Sequence, residues 1–178
     1  MRCLTWENQF MGYGKKLRVE EGDILAIPIR VKERGLYAFC RVISYEPSVG
    51  GAFLVEVFNY MSSSSSDCVQ AVAERKRLFP PIFAAMVFVG DQIPWKIVFT
   101  DDKFDKTAVG YDDIEIAFPR SAPPEIWCKG KTRPVTSKSE LEGIERSIIW
   151  TPIQIEQRVI AKVDPEAAAP WLKASGIQ

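Results

Sequence analysis

The sequence predicts an α+β fold: a twisted, mainly antiparallel β-sheet, partly barrel-like, with helices towards the C-terminus. Three observations lead there. Residues 21–60 (EGDILAIPIRVKERGLYAFCRVISYEPSVGGAFLVEVFNY) hold three apolar runs separated by two turn-rich breaks, the pattern of a three-stranded meander. Residues 82–89 (IFAAMVFV) and 95–99 (WKIVF) add two more buried runs. Late in the chain, Thr151-Pro152 and Asp164-Pro165 each set a capping residue before a proline at the first helical position.

In order, residues 1–16 contain Trp6, Phe10 and Tyr13 beside Gly12 and Gly14, readable as a docking arm or as an irregular lead-in. Residues 17–19 offer a short extra strand. Gly22-Asp23 is a turn signal, and the run 24–29 after it is apolar on both faces, so both faces should be covered. Pro28 has no N–H for a ladder, which puts it at an edge, a bulge or a strand end. The runs 36–45 and 52–60 are rich in β-branched and aromatic residues, and Glu46-Pro47-Ser48-Val49-Gly50-Gly51 between them has the composition of a loop.

A register follows from charge. If Tyr45 faces Ala52, Arg41 falls opposite Glu56, and these are the only charges inside either run. One face then carries Leu36, Ala38, Cys40, Val42, Phe53, Val55 and Val57, an apolar core face. The other carries Tyr37, Phe39, Arg41, Ile43, Tyr45, Leu54, Glu56, Phe58 and Tyr60. Aromatics around an Arg–Glu pair fit the centre of a protein contact. They also fit a face covered by a helix or second sheet, with a structural ion pair beneath, and aromatics fill cores more often than interfaces.

The serine run 61–67 (MSSSSSD) reads as a flexible loop, with Ser66 or Asp67 capping a helix over 68–76, or as part of a longer disordered loop. Residues 90–94 (GDQIP) read as a hairpin connection between the two later strands. Residues 101–115 are acidic, with Asp101, Asp102, Asp105, Asp112, Asp113 and Glu115 against Lys103 and Lys106. Onwards to Lys138 the chain is basic, and prolines at 119, 123, 124 and 134 make 101–136 irregular rather than helical. Ser139-x-x-Glu142 offers a capping box for a short helix over 137–147, weakened by Gly143. A helix over 153–163 places Ile155, Val159, Ile160 and Val163 on one side, and a second over 166–174 is anchored by Trp171 and Leu172 and ended by Gly176. The whole reads as one domain over 1–178: lead-in 1–16, β-rich core 17–100, irregular charged segment 101–136 and helical part 137–178.

Composition excludes much. The chain has 178 residues, 47% hydrophobic and 26% charged, with formal net charge zero. That balance argues against broad electrostatic attraction to nucleic acid or an anionic membrane. The start MRCLTWENQF has no apolar signal core, and the expected location is the cytoplasm. Cys3, Cys40, Cys68 and Cys128 include no C-x-x-C spacing, and there is no histidine. No metal or cofactor is therefore expected, and a Ser-His-Asp or Cys-His arrangement cannot form. Cys3 and Cys128 read as inert thiols and Cys40 as a small core hydrophobe. No phosphate-binding glycine motif occurs. The acidic stretch supplies carboxylates, but carboxylates alone do not make the paired geometry of a hydrolase. It reads as a solvated loop or as a charged recognition surface.

Gly22-Asp23-Ile24, Ile27-Pro28-Ile29, Tyr37-Ala38-Phe39 and Arg41-Val42, followed by Leu78-Phe79 and Trp95-Lys96-Ile97-Val98, resemble the bacterial immunity protein 26 family. The ending Ile155-Glu156-Gln157-Arg158-Val159 with Trp171-Leu172 is similar as well, so the resemblance runs over about 17–172. The chain departs at Cys40, where the family pattern has a small Gly-like residue, and in the length of the serine run and of the Pro-rich segment. The resemblance implies a non-catalytic protein that binds and neutralises the cognate domain of a polymorphic toxin. The expected partner-binding residues are Tyr37, Phe39, Tyr45, Asp101, Asp102, Asp105, Asp112, Asp113 and Glu115. Two rival readings are a regulatory or scaffold module for another partner, and an enzyme using paired carboxylates in a deep pocket.

Overall fold

A computed structural model describes residues 19–85 and 95–175. The meander forms as expected: β1 (Asp23–Val31), β2 (Arg34–Glu46) and β3 (Ala52–Ser62) pair antiparallel in sequence order. β4 (Ile82–Ala84) joins β3, and β5 (Lys96–Thr100) joins the free side of β1. β10 (Ile149–Trp150) runs parallel to β4, giving the order β10-β4-β3-β2-β1-β5. A second sheet has the order β8-β7-β6-β9, from β6 (Glu115–Phe118), β7 (Glu125–Cys128), β8 (Lys131–Pro134) and β9 (Glu145–Arg146). The fold is α+β, and neither sheet closes into a barrel among the described residues.

Several sequence expectations need correction. β4 and β5 are not a hairpin: three strands lie between them, a separation of about 19 Å at the usual inter-strand spacing. A local turn signal cannot choose which sheet edge is open, and β1 had one to offer. Residues 90–94 themselves lie outside the described residues, as do 86–89, 1–18, Gly176 and the side chain of Trp171. Second, 101–136 is not irregular throughout but supplies three of the four strands of the second sheet. These strands are four residues each, so their alternation (Ile116 and Trp127 towards the six-stranded sheet, Ala117 and Ile126 on the other face) is brief and hidden among prolines. Third, 137–147 is a 3-10 turn, Lys138–Leu141, boxed by Ser137 and Glu140 rather than by Ser139 and Glu142, and it is followed by β9. Fourth, the last helical stretch is split into a 3-10 turn, Pro165–Ala167, and α3 (Pro170–Ser175), with Pro170 starting the new helix. The serine run is not a loose loop either. Ser64 accepts from the Ser66 N–H at 3.2 Å, opening a 3-10 turn that leads into α1 (Cys68–Glu74).

The six-stranded sheet is covered on both faces. Ala38, Cys40, Val42, Val55 and Val57 form one core with Leu25, Ile27, Trp150 and Leu172, and α2 (Pro152–Val163) lays Ile155 and Val159 on it. Val19 packs in this core too, while Val163 points outwards. Thr151 caps α2 in the expected way, its hydroxyl accepting from the Gln154 N–H. Arg158 of α2 holds Glu145 of β9 through two hydrogen bonds of 3.0 and 2.8 Å, tying this layer to the second sheet. Among the described residues, no helix is long and apolar enough to cross a membrane.

The opposite face divides in two. Phe39, Phe58, Ile24 and Ala26 pack under Cys68 and Ala71 of α1. Ile43, Leu54 and Phe83 pack under Tyr111, Ile114, Ile116 and Trp127 of the second-sheet region. Between these clusters lies the expected pair: Arg41 sits opposite Glu56 in the ladder and donates to Glu56 Oε1 from Nε at 2.7 Å and from its terminal nitrogen. Arg77 donates to the other carboxylate oxygen at 2.7 Å. Of the two readings of this face, the covered one holds: a helix and a second sheet lie over a structural ion cluster.

Glu56 thus answers two guanidinium groups in a nearly dry setting, and removing one partner of a buried ion network strands the remaining charge. Glu56→Ala is expected to cost about 3–5 kcal/mol in urea unfolding. A loss below about 1 kcal/mol, the range of an exposed pair, would contradict a buried cluster.

Candidate functional site

The segment between β5 and β6 closes the cluster from above. Arg77 also donates to the Val109 carbonyl at 2.5 Å, and the Arg41 guanidinium lies 4.9 Å from the Phe104 ring centre and 5.4 Å from that of Phe58. Asp101 donates its N–H to the Gly22 carbonyl at 3.3 Å. Gly22 sits at φ +88, and a Cβ there would fall 2.7 Å from Phe104 Cβ and 2.9 Å from the Asp101 carbonyl oxygen. Glycine is thus what lets the turn before β1 and the acidic segment touch.

A bulge then decides what the end of β2 presents. Val42 pairs with Val55, but Ser44 pairs with Leu54, so Ile43 is the extra residue. Beyond the bulge the pairing is Tyr45 with Phe53 and Glu46 with Ala52, one step from the expected register. The slip moves Tyr45 to the far face, where its ring meets Phe53 at 5.1 Å, and brings Glu46 to the face of the second sheet. There Glu46 Oε1 accepts from the Ser44 hydroxyl at 2.6 Å and from the Tyr111 hydroxyl at 3.0 Å. Burial, aided by the Glu46 carboxylate, holds the Tyr111 hydroxyl well above its ordinary range, so it stays a donor.

Around this pair the surface is dense in charge. Glu21 Oε1 accepts from the Tyr45 N–H at 3.3 Å and from Lys106 at 3.4 Å, and Lys106 lies 4.8 Å above the Tyr111 ring. Asp112 pairs with Lys129 at 3.3 Å, and Glu115 with Arg133 at 3.5 Å. Cys128 donates weakly to the Asp112 carbonyl, and burial together with the Glu115 charge raises its thiol's affinity for its proton. Asp105 caps a 3-10 turn by accepting from the Thr107 N–H and hydroxyl, and that hydroxyl lowers its pKa.

The predicted site residues therefore divide. Asp101, Asp102, Asp105, Asp112, Asp113 and Glu115 lie on or beside the segment that covers this end of the sheet. Tyr45 is exposed at the same end but turned to the other face by the bulge. Tyr37 is half-buried at the opposite end of β2, about 26 Å along the strand. Phe39 is fully buried beneath α1 and has no surface to offer a partner. Sequence reasoning missed Glu21, Glu46, Lys106 and Tyr111, whose contacts span up to 85 positions in the chain. Among the described residues, no three His, Cys, Asp or Glu side chains group to hold a metal ion.

Gly22→Ala is expected to cost about 1–3 kcal/mol, the usual scale of local backbone strain, and to speed amide exchange over 101–105. Unchanged stability and exchange would show that Gly22 does not anchor this segment.

A family model described as Immunity protein 26 matches residues 20–112, more than half of the chain. The match runs from the turn before β1 to Asp112 and takes in Glu21, Arg41, Tyr45, Glu46, Glu56, Arg77 and Tyr111. It does not extend over the helical ending 155–172. Comparisons with curated proteins and with solved structures find no match. Carrying this family's pattern from the meander through the segment that covers it, the chain belongs to the immunity protein 26 family.

Proposed function

We propose that this protein acts in the cytoplasm as an immunity protein, binding the toxic domain of a cognate polymorphic toxin and blocking it stoichiometrically, without catalysis. The observation that carries the reading is the position of the acidic segment. It is held over the sheet by Arg77, Phe104 and Gly22 and presents carboxylates on a fixed platform. Preorganised charge of this kind selects a basic partner and speeds its arrival. Among the described residues Asp102 and Asp113 make no ion pair, so their charge is free to act on a partner. Exposed Tyr45 beside half-buried Phe53 supplies an aromatic anchor at the edge of the same end. The family supports this class of function, and the partner-facing residues are our assignment.

The test is a co-expression pull-down with the toxin domain encoded beside this gene, together with growth rescue. The expected outcome is a stable complex and restored growth for the native chain. Reversing Asp101, Asp102, Asp112 and Asp113 to lysine should weaken both while the free protein still melts cooperatively. Undiminished affinity in the folded reversal variant would reject the acidic segment as the contact.

A further inference from the structure

Two buried carboxylates on one sheet face are treated in opposite ways. Glu56 has two guanidinium groups, one for each oxygen. Glu46 is 4% exposed, yet its donors are two neutral hydroxyls, both on Oε1. Oε2 has no hydrogen-bond partner among the described residues. It is also not among the sealed unpaired atoms, which are Trp127 Nε1, Trp150 Nε1 and Arg158 Nε. One carboxylate oxygen therefore keeps an opening to the outside.

The neighbouring cations do not use it. Lys106 reaches Glu21, and Lys129 reaches Asp112. Gly130 stands beside the opening, at φ +74, and a Cβ there would come 3.6 Å from Oε2 and 3.8 Å from the Tyr111 hydroxyl. Without a Cβ, Gly130 adds no side chain to that approach. Further carboxylates stand round about, with Glu21 near Tyr111 and Asp112, Asp113 and Glu115 near Cys128. A metal ion is a poor occupant, since no three ligating side chains gather among the described residues. What fits is one cation on a flexible stem.

We propose that Glu46 is the receptor for a positively charged side chain, arginine or lysine, presented by the protein partner. This rests on the toxin-binding reading and names the chemistry that the toxin must present. Ser44 and Tyr111 hold Oε1 and set the carboxylate's direction, while Oε2 accepts the incoming N–H. A buried carboxylate that meets its cation only in the complex favours the bound state, because the charge left unpaired in the free protein is then answered.

The experiment uses the full chain labelled at the glutamate carboxyl carbons. It is titrated by NMR with N-acetylarginine amide, and separately with the neutral isostere N-acetylcitrulline amide. The Glu46 resonance, assigned by its disappearance in Glu46→Gln, should move saturably with the arginine amide and stay still with the citrulline amide. A resonance that ignores both, or answers both alike, overturns the proposal. So does a response to the arginine amide that appears only in Lys106→Met, which would make Lys106 the occupant. With the toxin domain, Glu46→Gln should weaken binding about 30-fold or more, the scale for removing one charge of a buried pair, while the free protein's melting point does not fall. Unchanged affinity overturns the proposal. Absence of any complex between the native chain and an active toxin domain would sink the toxin-binding reading instead, and the amide titration would still decide the Glu46 site.

Discussion

The structure depends on Glu56 being held between Arg41 and Arg77. Arg41 fixes the register of β2 against β3 at the middle of the sheet. Arg77 follows α1, forms an isolated bridge with Phe58 and carries the chain's path back across the same face. The two guanidinium groups then reach upward, one to the Val109 carbonyl and one to the Phe104 ring. A single carboxylate thereby joins the meander, the end of α1 and the acidic segment. Apolar packing alone would leave this face as two separate clusters, one under α1 and one under the second sheet. The ion cluster fills the gap between them. Buried charge is a costly way to do so, since the carboxylate and both guanidinium groups give up water when the cluster forms.

The sheet end shows how a small irregularity redirects a surface. Without the bulge at Ile43, strict alternation would put Tyr45 on the Arg41 face and send Glu46 to the other. With it, the aromatic goes to the rim and the carboxylate goes to Tyr111. The acidic segment and the end of β2 become one surface through Glu21, Lys106 and Tyr111, residues far apart in the chain. Arg133 and Glu140 extend the ordered charge beyond it. The Thr136 hydroxyl and then the Arg133 guanidinium lower the Glu140 carboxyl to about 2, so it remains an acceptor at any ordinary pH.

Much of this was legible beforehand because it rests on local pattern. Three apolar runs broken by turns declare a meander, and two lone charges at matching positions declare its register. Thr151-Pro152 declares the start of α2. What was not legible depends on distant partners. The bulge brings Ser44 and Glu46 to Tyr111, which local alternation cannot show. β5 pairs with β1 rather than β4 because of which edge stands open. The strands of the second sheet are too short, and too crowded by proline, for alternation to stand out. Phe39 and Tyr45 looked alike as alternating aromatics, and only the packing of α1 and the bulge set them apart.

The carboxylate-rich end of the sheet, held in place by the Glu56 cluster, is the surface that we propose this immunity-family protein turns to its partner. Hydrogen–deuterium exchange of the free chain and of its complex with the neighbouring toxin domain tests this most directly. The account predicts slowed exchange on binding at residues 20–23, 44–46, 101–115 and 128–130, with little change in α1. Protection confined to α1 and the Tyr37 end of β2 would contradict it.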